Sequence, residues 1–200
     1  MWPGNLRPRS LLPMLAAAVA LFLGGNAAHG QSGADAWTVL EKEAHWIPAG
    51  AEEPERVIYV FTDPNCPYCH DLWKVTKPYY SEGLQVRHIL VGILKPSSPA
   101  KAAAILSAND PAAALRRHEK NYEDGGIAPA EDPAQLVRTQ LENNQQLMRR
   151  FGARATPTVV YRDGDGGAQA LSGMPRLQAL PGILRLPAQP IEDPDLQKYL

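Results

Sequence analysis

An α/β fold on a mixed sheet is what this sequence predicts, from three observations. The run Val57-Ile58-Tyr59-Val60-Phe61 reads as a buried strand, rich in β-branched and aromatic residues, and leads through a turn into a helical stretch. Two more strand patterns, Leu84 to Val91 and Thr158 to Arg162, lie on either side of a long helical region. After the second, Asp163-Gly164-Asp165-Gly166-Gly167 is a hairpin turn that returns the chain for a fourth strand, Ala168 to Ser172.

The N-terminal thirty residues read as a secretory signal peptide. Arg7 and Arg9 make a basic start, no acid precedes Asp35, and Leu11 to Leu23 is an apolar run too short to span a membrane. Ala28-His29-Gly30 offers small residues for cleavage before Gln31. Removal takes two arginines and no acids, moving the formal charge from −1 to −3. A charge so near zero gives no electrostatic case for nucleic acid or an anionic membrane as partner.

Residues 31–36 form a polar lead. Trp37, Leu40, Ala44 and Ile47 fall on one face at helical spacing, predicting a helix from Trp37 to Ile47 that Pro48-Ala49-Gly50 ends. Ala51 to Arg56 is an exposed charged link. Thr62-Asp63-Pro64-Asn65 is a turn, and Tyr68 to Tyr80 a helix with a kink at Pro78 and a stop at Gly83. His88, in the second strand, reads as structural. The region 97–151 carries three cap-and-proline starts: Ser98-Pro99, Asp110-Pro111 and Asp132-Pro133. Leu136, Val137, Leu141, Leu147, Met148 and Phe151 make the apolar face of its longest helix, which Gly152 closes. Arg116 to Lys120 reads as a solvated face. Pro175 to Leu184 is a last helix, weakened by Pro181, and the tail from Pro187 is expected to be mobile. The order strand, helix, strand, helical block, strand, strand, helix is a thioredoxin-like layout. It places one domain at 57–186, with a helical insertion at about 97–151.

The chemistry centres on Cys66-Pro67-Tyr68-Cys69-His70, which holds the only two cysteines of the chain. Cys66 stands where a strand hands over to a helix N-terminus. Unpaired N–H groups and the helix dipole there favour a thiolate, the nucleophile of disulfide exchange. A staple closing a two-residue loop would add little loop-closure entropy, so the pair reads as a working disulfide. Cys66 is the exposed attacking thiolate, and Cys69, one turn deeper, resolves the mixed disulfide. Pro67 and Tyr68 tune the helix start; His70 either adds positive charge or faces solvent. Thr156-Pro157, before the third strand, is either a cis bond beside the thiols or an ordinary trans proline at a strand start. If cis, Thr156 and Pro157 present backbone to an extended substrate.

Other readings compete with this chemistry. Cys66-Pro67-Tyr68-Cys69-His70 also satisfies the c-type haem pattern, with His70 as axial ligand and Met148 or Met174 opposite. A zinc site lacks a second pair of ligands at the required spacing. The turn at 163–167 begins like a calcium loop but has Gly167 and Met174 where oxygen ligands are needed. No metal or cofactor is expected. A binding module using a groove near Tyr68 and Trp73 is the alternative from outside enzymology.

Phe61-Thr62-Asp63-Pro64-Asn65-Cys66-Pro67-Tyr68-Cys69 followed by Trp73 resembles the DsbC/DsbG family of periplasmic thiol:disulfide interchange proteins, the DsbG branch in particular. Leu90 to Pro99, Ala102 to Leu106 and Ala155-Thr156-Pro157 are similar to the same branch. The resemblance implies a thioredoxin-fold catalytic domain with a helical insertion, Cys66 as nucleophile, Cys69 as resolving thiol and Pro157 as a cis-proline. It implies substrates among misoxidised or sulfenylated secreted proteins, and reduction by a DsbD-type membrane protein. Family members carry an N-terminal dimerisation domain. Here residues 31–56 offer only a linker-like helix before the first strand, so a monomer is expected.

Overall fold

The computed structural model describes Met1 and residues 33–200; the signal peptide and its cleavage point lie outside the described residues. A five-stranded mixed sheet forms the centre, in the order β1-β3-β2-β4-β5. The strands are β1 Trp46–Gly50, β2 Arg56–Thr62, β3 Leu84–Leu90, β4 Thr158–Arg162 and β5 Ala168–Ser172. β2 and β3 are parallel, joined by helix α2 Pro67–Thr76; the other pairings are antiparallel.

β2 is the pivot, and its period-two alternation explains the layers. Ile58 and Val60 face one side, packing with Leu72 and Val75 of α2 and with Leu180, Ile183 and Leu184 of α6 Leu180–Leu184. Tyr59 and Phe61 face the other side, against Trp37 and Leu40 of α1 Gly33–Glu43 and Leu147 and Met148 of α5 Gln135–Arg150. A third cluster ties the inserted helices α3 Ser98–Leu106 and α4 Pro111–Lys120 to the sheet through Ile105, Leu115, Leu141, Ile47 and Leu90.

Several expectations need correction. The helix expected at Trp37 to Ile47 ends at Glu43, and Trp46–Gly50 is an edge strand paired antiparallel with β3. Pro48 is tolerated there because an edge strand needs its N–H groups on one side only. Ser98 does not cap α3; it lies inside the helix, and its hydroxyl is used by the turn at Asp63. Asp110 does cap α4, accepting from Ala113 N at 2.8 Å. The cap of α5 is Ala134, and Asp132 instead pairs with Arg138. On that helix Leu136 is exposed while its expected partners are buried or half-buried. Pro181 does not interrupt a helix: a 3₁₀ turn, Leu177–Ala179, comes first, and Pro181 lies in the first turn of α6, where its missing N–H costs nothing.

The C-terminal segment is also better anchored than expected. Residues Pro194–Tyr199 form a 3₁₀ helix whose Leu196 is buried in the core. Tyr199 donates to Asp71 at 2.6 Å, Lys198 pairs with Asp71 at 3.0 Å, and Asp193 with Lys74. The acids and prolines suggested disorder, but one apolar residue and three polar contacts fasten the segment along α2.

Candidate active site

Cys66 is the N-cap of α2, in extended conformation, with Pro67 opening the first turn. Its sulfur accepts the Cys69 N–H at 3.2 Å, and its carbonyl accepts from Cys69 N and His70 N, both at 3.1 Å. Across the site, the Cys66 thiol donates to the Thr156 carbonyl at 3.2 Å. The Thr156–Pro157 bond is cis, which settles the alternative left open by the sequence. The sequence reading made Cys66 an exposed thiol. It is instead 1 % exposed and Cys69 3 %, because the chain before β4 packs onto the helix start.

The two thiols are unlike. Hydrogen bonding from the Cys69 side chain is the largest influence on Cys66 and lowers its pKa to about 7. The Cys69 N–H adds to this, as does the neighbouring Thr156 hydroxyl, which is buried and makes no hydrogen bond among the described residues; burial and the Asp63 charge act against them. Cys69 is pushed the other way, first by burial and then by Cys66 itself. Such a pair has one ionised, nucleophilic sulfur near neutrality and one that stays protonated until it is needed.

His70 neither faces solvent nor stands free. Its Nδ1 is 2.7 Å from Glu119 Oε2 of α4, and its ring stacks on Tyr122 at 4.4 Å between centroids and 9° between planes. Trp73 stacks more loosely on it at 6.0 Å. The run 116–120 is therefore not a uniformly solvated face, since His118 and Glu119 are buried. The haem reading fits poorly: an axial His70 would have to abandon a buried carboxylate and leave its stack, and Met148 is buried among Leu147, Phe61 and Trp37. Trp73 is buried as well, so it lines no open groove, whereas Tyr68 is 54 % exposed. His88 is buried against Thr62, and burial lowers it to about 4, in keeping with a structural role.

Sequence reasoning missed the support of the 62–65 turn. Asp63 Oδ1 accepts from Asn65 N at 2.8 Å and Ser98 Oγ at 2.7 Å; Oδ2 accepts from Ile93 N at 2.7 Å and Leu94 N at 3.0 Å. Asn65 donates to Ser98 at 2.9 Å and accepts from Lys101 Nζ at 3.0 Å. His118 Nδ1 accepts from Ile127 N at 3.0 Å, so its Nε2–H donates to the Pro64 carbonyl at 2.8 Å. Gly126, at φ +70°, passes so close to that ring that a Cβ would lie 2.3 Å from Nδ1. The available sequence signal was Ser98-Pro99, which reads equally well as a helix cap.

A redox-capable dithiol at the N-terminus of α2, facing a cis-proline, defines a class. The Thioredoxin-like domain family matches residues 48–185, and the chain belongs to that family. Within it, the chain is similar to the thiol:disulfide interchange protein DsbG of Pseudomonas aeruginosa, 40 % identical over 149 residues, covering 74 % of this chain and 58 % of that protein. It is 36 % identical over 153 residues to DsbG of Escherichia coli, covering 74 % of this chain and 60 % of the relative. The chain thus spans about three fifths of the length of these relatives. The catalytic domain of Proteus mirabilis ScsC superposes with a TM-score of 0.61 at 22 % identity, over 76 % of this chain and 94 % of that one, a likeness of fold.

Proposed function

We propose that this chain is a thiol-disulfide oxidoreductase acting on disulfides or sulfenylated cysteines of secreted proteins. The asymmetry of Cys66 and Cys69 carries the reading: Cys66 lowered to about 7, Cys69 raised by burial. The Cys66 thiolate attacks a substrate sulfur, forming a mixed disulfide as the substrate's other sulfur leaves as a thiolate. Cys69 then gives up its proton and attacks Cys66 Sγ, and the substrate's remaining sulfur leaves. The substrate gains two electrons and two protons, and the enzyme keeps a Cys66–Cys69 disulfide. With a sulfenic acid the first leaving group is hydroxide, released as water. In isomerisation a substrate thiolate displaces Cys66 before Cys69 acts.

Pro67 and Tyr68 shape the helix start, and His70 tunes it from one turn below. Thr156 and Pro157 meet the substrate: the Thr156 N–H makes no hydrogen bond among the described residues, and Pro157 has none to give. Such substrates support a periplasmic chain behind a cleaved signal peptide, and we infer a monomer that a DsbD-type membrane protein re-reduces. Light scattering reads the oligomeric state.

One observation favours a second reading, a chaperone-like binding module. Tyr68, Ile93 and Leu94 are 54 %, 43 % and 47 % exposed, and Asp63 ties the last two to the active-site turn. A double Cys66→Ser/Cys69→Ser variant that still suppresses aggregation would support it. The oxidoreductase reading is tested by insulin reduction, which Cys66→Ser abolishes if the reading holds; retained activity would sink it. Acid trapping in the periplasm gives the direction. Thiols alkylated directly mean a reductase or isomerase, and thiols reached only after reduction mean an oxidant.

A further inference from the structure

Three arginines meet at the end of the sheet opposite the thiols. Arg56 opens β2, Arg162 closes the antiparallel β4, and Arg185 caps α6. All three line one cavity of about 250 Å³, whose wall also includes the apolar Trp37, Ile58 and Ile183. From Arg56 to Thr62 the strand covers about 20 Å, which sets the cavity well apart from Cys66. Each guanidinium is held by groups that do not neutralise it. Arg162 lies over the Trp37 ring at 4.7 Å from its centroid, and Arg185 donates to the Asp163 carbonyl at 3.3 Å. Arg56 Nη1 donates to the Glu55 carbonyl at 2.9 Å, while its Nε is buried and has no acceptor among the described residues. None of the three makes an ion pair among the described residues. Arg185 is also the one non-glycine residue there at positive φ, +55°, a helix-end position where glycine is least costly. Strain kept for a long cationic side chain argues for a use of that side chain.

We propose that this cavity is a binding site for a small phosphate monoester, with Arg56, Arg162 and Arg185 around the phosphoryl oxygens and the organic group against the apolar wall. The charge selects the ligand. Against three guanidiniums the lining sets one carboxylate, the exposed Glu55, and two positive charges stay unanswered. The Asp163 carboxylate, close in sequence, is spent on its own hairpin, accepting from Gly167 N at 2.8 Å and Gln169 Nε2 at 2.7 Å. A phosphate monoester is close to a dianion at neutral pH and offers three acceptor oxygens, whereas a carboxylate offers one charge and two. Guanidinium forks match phosphoryl oxygens in geometry, and one more acceptor answers the buried Arg56 Nε. The cavity is larger than a phosphoryl group alone, and its remaining wall is apolar, which suits the ester over the free ion. The site does not depend on the oxidoreductase reading, since no thiol takes part in it.

The test is calorimetric titration of the protein with phenyl phosphate, inorganic phosphate and acetate at about pH 7.5, with chloride holding the ionic strength constant. Phenyl phosphate is expected to bind saturably at one site, more tightly than inorganic phosphate, and acetate to show no binding over the same range. Arg185→Gly removes a guanidinium and relieves the positive φ, so the variant folds at least as readily as the parent. It should weaken phenyl phosphate binding about fivefold or more, as should Arg162→Gln. Arg138→Gln, the same loss of charge on α5, should leave binding unchanged. Phenyl phosphate should also raise the unfolding midpoint of the parent more than that of Arg185→Gly. Several results overturn the proposal: no saturable binding of phenyl phosphate, acetate binding as tightly, or full binding in both Arg185→Gly and Arg162→Gln. Equal weakening in Arg138→Gln does so too, because it would make the effect one of net charge. Inorganic phosphate binding as tightly as the ester overturns the assignment of an ester. Cys66→Ser should bind phenyl phosphate as the parent does, and loss of binding there would move the ligand to the thiols and overturn the site.

Discussion

Two regions build this site in opposite ways. The strand–turn–helix at residues 56–76 is local: β2, the turn, Cys66 and α2 follow one another, and adjacent residues do the work. The inserted region from Ser98 to Ile127 contributes through single side chains reaching far along the sequence: Ser98 to Asp63, Lys101 to Asn65, His118 to Pro64, Glu119 to His70. The local region supplies the reactive atoms, and the remote one holds them. A motif can therefore be complete in the sequence while the scaffold that sets its reactivity is scattered across it.

The sharpest way to separate the two is at the sulfur. Cys66→Ser should reduce insulin-reduction activity to the uncatalysed rate while leaving thermal unfolding within about 1 kcal/mol of the parent, since the change is small and the Asp63 network is untouched. Unfolding instead of simple inactivity would mean that the local region also carries the scaffold.

On the remote side, Asp63→Ala leaves the N–H groups of Asn65, Ile93 and Leu94 and the Ser98 hydroxyl without their acceptor. The expected loss is on the order of 3–5 kcal/mol in chemical denaturation, because buried donors left unpaired cost about 1–3 kcal/mol each. A loss below about 1 kcal/mol would show that the insertion and the turn are not joined through this residue.

His88 tests the strand beneath the site. Its folded pKa of about 4 lies below its ordinary value of 6.5, so the unfolded chain binds the proton first. Its contribution to stability is complete above pH 6.5 and is lost as pH falls towards 4, a decline on the order of 3 kcal/mol. Replacing His88 with Gln should flatten that part of the stability–pH curve; the same curve in the variant would assign the decline to other groups. The smallest effect is expected at the exposed pair Arg138–Asp132, where Arg138→Gln should change stability by under about 0.5 kcal/mol and leave activity alone.

The local region was legible because its signals are periodic or adjacent. The continuous apolar run Val57 to Phe61 and the cysteine spacing survive in the structure, as does the hairpin farther along at residues 163–167. The remote region was legible only as helices. Nothing in Arg116-Arg117-His118-Glu119-Lys120 says which two of its five polar side chains turn inward, because that depends on what α4 packs against. The C-terminal segment misled for a related reason: its composition is that of a mobile tail, and Leu196 with its neighbours on α2 overrides composition through contacts no local pattern records. Likewise Trp46–Gly50 reads as a helix end until β3 is there to pair with it.

The structure divides the labour between two sulfurs three residues apart. Alkylation of the reduced protein with iodoacetamide, from about pH 5 to about pH 9 and mapped by peptide mass, tests it directly. The account predicts that Cys66 reacts with a midpoint near pH 7 while Cys69 stays unmodified through neutrality. Equal modification of both cysteines, or a Cys66 midpoint at the ordinary thiol value of about 8.5, would contradict it.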